Sequence, residues 1–193
     1  YLVKDSLGIA SYGNDDTTDL LTPQLIPFRT LRFPLYPGAS FESVNKKGLN
    51  FGDLDGDGKN DTGDVQAQVT VAALESVTVP TGTFAHSARI EGRITSTVTL
   101  SSNGAKITVA SKQTEWLAPG VGPVKRQFEI SGGGISETVA EDVAGYFAEG
   151  QGKGRVSLTI STGIAEAGSN EANPGKPALA AGENKYLLVS CRT

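Results

Sequence analysis

This chain of 193 residues has no methionine, one cysteine, one histidine and one tryptophan. Each scarcity excludes something. A single thiol, Cys191, cannot close an internal disulfide, so the fold does not depend on one. Its only positive neighbour is Arg192, and it reads as a small buried hydrophobe rather than a nucleophile. A single histidine, His86, leaves zinc sites and most catalytic triads without a second member. No apolar run approaches bilayer-spanning length, so no transmembrane segment is expected. A large excess of charge of either sign is missing as well. Seventeen basic residues against 21 acidic ones leave a net charge of −4, with no basic face for nucleic acid. The missing initiator methionine before Tyr1 predicts a processed or trimmed chain whose signal peptide is gone, and a membrane tether upstream of Tyr1 is compatible with that.

What the chain does have is glycine, 24 residues of it, together with many Thr, Ser and Val. That composition favours strands joined by turns. The length suffices to bury a core without covalent staples. Residues 1–37 carry Pro23, Pro27, Pro34 and Pro37, which predict extended chain rather than helix. A strand begins at Gly38–Val44, and residues 45–64 form a polar loop. Val65, Ala67, Val69, Val71, Ala73, Val77 and Val79 then alternate with mostly polar residues, with Glu75 the odd member of the series. This is the period of a long, half-buried strand. After Pro80-Thr81-Gly82 the pattern returns on even numbers: Phe84, His86, Ala88, Ile90, Gly92, Ile94, Val98 and Leu100. Turn signals at Ser101–Gly104, Pro119-Gly120 and Gly132–Gly134 separate strands over 105–117, 121–130 and 135–143. A short helical turn within Glu137–Tyr146 is the one helical element expected. The predicted fold is all-β: a curved antiparallel meander, open like a half-barrel, over residues 1–147. Residues 148–193 form an appended segment. It has a linker at Glu149–Gly154, strands at Arg155–Ile160 and Tyr186–Cys191, and the character of a starting repeat domain.

The stretch with chemical content is Asp53-Leu54-Asp55-Gly56-Asp57-Gly58-Lys59-Asn60-Asp61-Thr62-Gly63-Asp64. Five carboxylates in twelve residues repel one another unless a cation neutralises them. Oxygens at positions 1, 3, 5 and 9 of a tight loop converge on one hard ion, and a glycine at position 6 permits the turn. Calcium is therefore the expected ligand. Asp53, Asp55, Asp57 and Asp61 would supply side chains, Lys59 its backbone carbonyl, and Asp64 a sixth contact, directly or through water. A weak site of this kind fills at extracellular calcium levels, which points to a periplasmic, outer-membrane-attached or secreted protein. The metal's expected task is to pin the loop at a hairpin tip, because no base or nucleophile stands beside the cage.

Three resemblances follow. Residues Phe51–Asp61, with their D-x-D-x-D-G-x-x-D core, resemble the calcium loops of integrin-type FG-GAP repeats, dockerins and EF-hands. Asp64 stands where an EF-hand has glutamate, and the flanking helices are missing. The pair Val77-Thr78-Val79-Pro80-Thr81-Gly82-Thr83-Phe84 and Thr114-Glu115-Trp116-Leu117-Ala118-Pro119-Gly120-Val121-Gly122-Pro123-Val124-Lys125 resembles a family of bacterial extracytoplasmic proteins and lipoproteins of unknown function. That resemblance implies a half-barrel sheet related in shape to periplasmic lipoprotein carriers, and no catalytic residues. Asn173–Ala180 with Asn184–Val189 is similar to one unit of a bacterial β-propeller repeat.

The remaining candidates have plainer readings. Trp116 is a core plug or the lining of a ligand groove. Glu141 and Asp142 are adjacent, so a strand points them to opposite sides and they cannot pair as acid and base. The Gly132–Gly134 run lacks the helix and lysine of a phosphate loop. The expected function is non-enzymatic: binding or scaffolding at the cell envelope, with an unknown protein or apolar ligand as partner. One alternative is carriage of an apolar or lipid ligand in the sheet's concave face. Another is hydrolysis, which would need His86 or the metal beside convergent carboxylates.

Overall fold

Prolines and glycines cut the chain into strands at nearly every place the sequence marks. The structure is a computed structural model describing residues 1–148 and 151–154. Two short strands, β1 (Leu2–Asp5) and β2 (Gly8–Ser11), precede a one-turn helix, α1 (Thr22–Leu25), and a third strand, β3 (Phe28–Arg32). Six longer strands follow: β4 (Ser40–Gly52), β5 (Asp61–Val79), β6 (Gly82–Thr99), β7 (Lys106–Ala118), β8 (Gly122–Gly132) and β9 (Ile135–Asp142). The described chain closes with β10 (Gly145–Ala148) and β11 (Gln151–Gly154). Strands β4 to β9 pair antiparallel in sequence order, and the sheet stays open rather than closing into a barrel. Strands β1, β2 and β3 make a separate antiparallel sheet, and β10 pairs with β11.

Four expectations need correction. Residues 45–52 belong to β4, so the loop is the eight residues 53–60 and not the whole of 45–64. Their polarity suits an edge strand with one face in water. Leu49 is buried and Phe51 half-buried among Leu21, Leu25 and Phe28. A helical turn does form near the N-terminus, because proline is tolerated in a first helical turn. There Asp19 Oδ1 accepts the Leu21 and Thr22 N–H groups, each at 2.9 Å. Residues 137–146 are not helical, since they form β9 and the start of β10. The expected linker at Glu149–Gly154 contains β11, whose hairpin with β10 crosses the expected 147/148 boundary. The strands expected at Arg155–Ile160 and Tyr186–Cys191, the propeller-like unit and Cys191 lie outside the described residues.

The long alternation of β5 hides a change of side. Val71 pairs with Ile90 and Ala73 with Arg89, so one extra residue, Ala72, is bulged out of β5. Ile90 and Arg89 are neighbours on an unbroken strand and face opposite ways. Val65, Val69 and Val71 therefore face one side of the sheet, whereas Val77 and Val79 face the other. Such a bulge is a known device for re-aiming side chains.

Each side has its own core and its own cover. On the first, Val69, Val71, Ala88 and Ile90 pack with Leu31 of β3, and Val44, Leu49 and Val65 pack near Leu25 and Phe28. The N-terminal layer, β1 to β3 with α1, thus covers this side. On the second, Val77, Val79, Trp116, Ala118 and Val124 cluster with Val143. The Val143 N–H donates to the Val124 carbonyl at 2.9 Å, and the Tyr146 ring lies 5.6 Å from that of Phe84. Among the described residues, no helix is long and apolar enough to cross a membrane.

Candidate metal centre

Strand β4 ends at Gly52, which pairs with Asp61 at the start of β5. The eight residues between them wind around the first carboxylate. Asp53 Oδ1 accepts the N–H groups of Gly56 at 2.7 Å and Asp57 at 3.1 Å, and Oδ2 accepts that of Gly58 at 2.9 Å. So tight a coil needs left-handed backbone, supplied by Gly56 at φ 77° and Gly58 at φ 84°. Behind the loop, Gly63 permits close approach. A Cβ there would stand 2.5 Å from the Thr97 carbonyl and 2.9 Å from the Phe51 ring.

Asp61 is fully buried, and backbone donors from two segments hold it. Its Oδ2 accepts the Leu54 N–H at 2.8 Å and its Oδ1 the Ser101 N–H at 2.7 Å. Ser101 lies in the β6–β7 turn, which the meander brings to the same end of the sheet. The serine hydroxyls of that turn reach the loop directly. Ser102 Oγ donates to Asp55 Oδ2 at 2.6 Å, and Ser101 Oγ to Asp57 Oδ2 at 2.7 Å. The Ser102 hydroxyl, chiefly, holds the Asp55 carboxyl below its ordinary value of 3.8.

Carboxylate oxygens of Asp53, Asp55 and Asp61 all lie within 4.8 Å of one another. Among the described residues, no ion pair reaches any of the three. Oxygens on opposite sides of a calcium ion, each at 2.3–2.6 Å, stand about 5 Å apart. The trio therefore fits one cation at its centre. A carboxylate has about four lone-pair sites. Each oxygen here takes one or two N–H or O–H bonds, so acceptor capacity remains.

The structure brings together the carboxylates of Asp53, Asp55 and Asp61, and those of Asp57 and Asp64 are held by other partners. Asp57 is held towards Ser101, and its Oδ1 accepts the Lys59 N–H at 2.8 Å. Asp64 lies on β5, where its Oδ1 accepts the Gly48 N–H at 3.0 Å, away from the trio. Ser101 and Ser102 were not foreseen, although strand parity alone puts the β4–β5 and β6–β7 connections at one end of a meander.

The other single residues resolve simply. His86 is exposed and not on an apolar face. It sits at φ 56° in a second bulge, where Glu75 pairs with Ser87 and Val77 with Phe84. Trp116 is buried in the second core, and its Nε1 donates to Glu75 Oε1 at 2.8 Å. Glu141 and Asp142 do face opposite sides. They pair with Arg126 at 3.6 Å and Lys125 at 3.7 Å, respectively. No protein-family model, curated protein or solved structure matches the chain.

Proposed function

We propose that Asp53, Asp55 and Asp61 hold one calcium ion, and that the protein is a non-enzymatic, extracytoplasmic binding or scaffolding protein of the bacterial cell envelope. The observation that carries the metal assignment is the convergence of three carboxylates within 4.8 Å, with no cationic side chain among the described residues paired to them. Calcium takes six to eight oxygens in a flexible shell, so the Lys59 carbonyl and water would complete it. The ion would pin the β4–β5 loop to the start of β5, a structural task. The D-x-D-x-D-G-x-x-D spacing supports calcium over other hard cations. The likeness of Val77–Phe84 and Thr114–Lys125 to envelope lipoproteins supports the compartment and the absence of catalysis.

Extracellular modules of this ligand type bind calcium at about 0.1–1 mM. A site of 0.1 mM affinity in 1 mM calcium gains about 1.4 kcal/mol of stability by mass action. The test is a pair of thermal melts, in calcium and in chelator, for the parent and for Asp55→Ala. The parent is expected to melt a few degrees higher in calcium, and the variant to lose that difference. Identical parent curves in the two buffers would refute the assignment.

A further inference from the structure

A cleft of about 250 Å³ separates the N-terminal layer from the sheet. Leu25 and Phe28 line it from the layer, and Val69, Ile90, Gly92 and Ile94 from the sheet. It interrupts what would otherwise be one continuous core on this face. Gly92 sits in the middle of β6, a central strand, where glycine is normally unfavourable. Nothing in the backbone demands it, because its φ lies outside the left-handed region. Nothing in the packing demands it either. A Cβ there would meet only the Gln113 carbonyl, at 3.9 Å. The contrast with Gly63, whose Cβ would collide with backbone, is direct. What Gly92 provides is space.

One end of the cleft is polar. Gln113 and Glu115 line it there. Arg126 bridges Glu115 at 2.7 Å and Glu141 at 3.6 Å, so two carboxylates face one guanidinium and the local charge is negative. An apolar cavity of 150 Å³ accommodates benzene, so 250 Å³ suits about ten carbon atoms. We propose that this cleft binds an aliphatic group of about that size whose polar end is neutral rather than anionic, with Gly92 left bare to admit it.

The experiment is calorimetric titration of the full chain with straight-chain 1-alkanols from hexanol to tetradecanol, in the presence of chelator. Chelator keeps the outcome independent of the calcium assignment. Affinity is expected to rise about fourfold per methylene and to level off near decanol. Decanoate should bind about tenfold more weakly than decanol, because its carboxylate would approach Glu115. Gly92→Leu fills the space from within, so it should abolish decanol binding without lowering the melting temperature. Should that variant not fold, Ala67→Leu occupies the same cleft from β5 and must show the same loss. Absence of saturable decanol binding by the parent would overturn the proposal. So would a folded Gly92→Leu protein that binds decanol as the parent does, and decanoate binding as tightly as decanol would overturn the neutral polar end.

Discussion

The acidic loop and the apolar cleft share two strands, β4 and β5, and they depend on opposite kinds of solvation. In the loop, charge is concentrated. Its carboxylates are surrounded by N–H donors from Leu54, Gly56, Asp57, Gly58 and Lys59 and by N–H and O–H donors from one neighbouring turn. In the cleft, apolar surface dominates the lining, and the defining residue is a glycine that contributes no side chain. The loop is local, so its chemistry is written in one short run of letters. The cleft is assembled from α1, β3, β4, β5, β6 and β7, and no contiguous stretch encodes it. Charged sites announce themselves by what is present in the sequence, whereas apolar sites depend on what the folded chain leaves out.

Removing Asp61 strikes this comparison hardest. Its fully buried carboxylate satisfies two backbone N–H groups, and an unsatisfied buried donor costs about 1–3 kcal/mol. Asp61→Ala should lose about 3 kcal/mol in urea denaturation even in chelator. A loss confined to calcium buffer would mean that Asp61 is only a ligand. Next come the two cores. Val124, 1 % exposed, is tightly enclosed near Trp116, whereas Val69 borders the cleft and already lacks neighbours on one side. Val124→Ala should cost about 2 kcal/mol and Val69→Ala about half that, because the cost depends on the packing lost. Equal costs would indicate that the cleft is filled in the free protein.

A smaller effect tests the turn that the loop leans on. Ser102→Ala removes the hydroxyl donor to Asp55, so the Asp55 carboxyl should titrate at higher pH, as read by carboxyl carbon shifts. Calcium affinity should fall a few-fold at most, since the aspartate trio itself is intact. The smallest effect concerns the N-terminal layer. The Arg29 guanidinium holds the Asp5 carboxyl at about 2, below its ordinary 3.8. The Thr22 hydroxyl and amide, with the Asn14 amide, hold Asp19 at about 2 as well. Both values are depressed, so the associated stability is complete above about pH 4. It is lost as pH falls through 2. Amide exchange in β2 and β3 should therefore quicken between pH 4 and 2 before exchange in β5 to β7 does. Both carboxylates are near water, so salt should weaken the effect.

Much of this was legible beforehand. The strands from Val65 to Asp142 and the turns at Pro80, Ser101, Pro119 and Gly133 follow from period-two patterning and turn chemistry, both of which are local. The polar half of β4 was not legible. Residues such as Asn45 and Lys46 look like loop, and their pairing with Gln66 and Val65 of β5 is a long-range fact. Three of the predicted ligands converge because the D-x-D spacing is itself a geometric statement. Asp57 and Asp64 do not join them. Ser101 competes for the first, and the second has already entered β5, where the pleat fixes its direction.

The bulge at Ala72 has a consequence for how this protein tolerates change. A single unbroken alternation serves two opposite cores only because one residue resets its phase. Substitutions at Ala72 that keep the residue count should be mild, since the position packs little. Deleting it would leave Val71 and Ala73 adjacent and still opposite Ile90 and Arg89, so Val77 and Val79 would keep their side, whereas inserting a second residue beside it would turn them out of their core. The middle of β5 therefore tolerates a changed or a missing residue at this point, but not an added one.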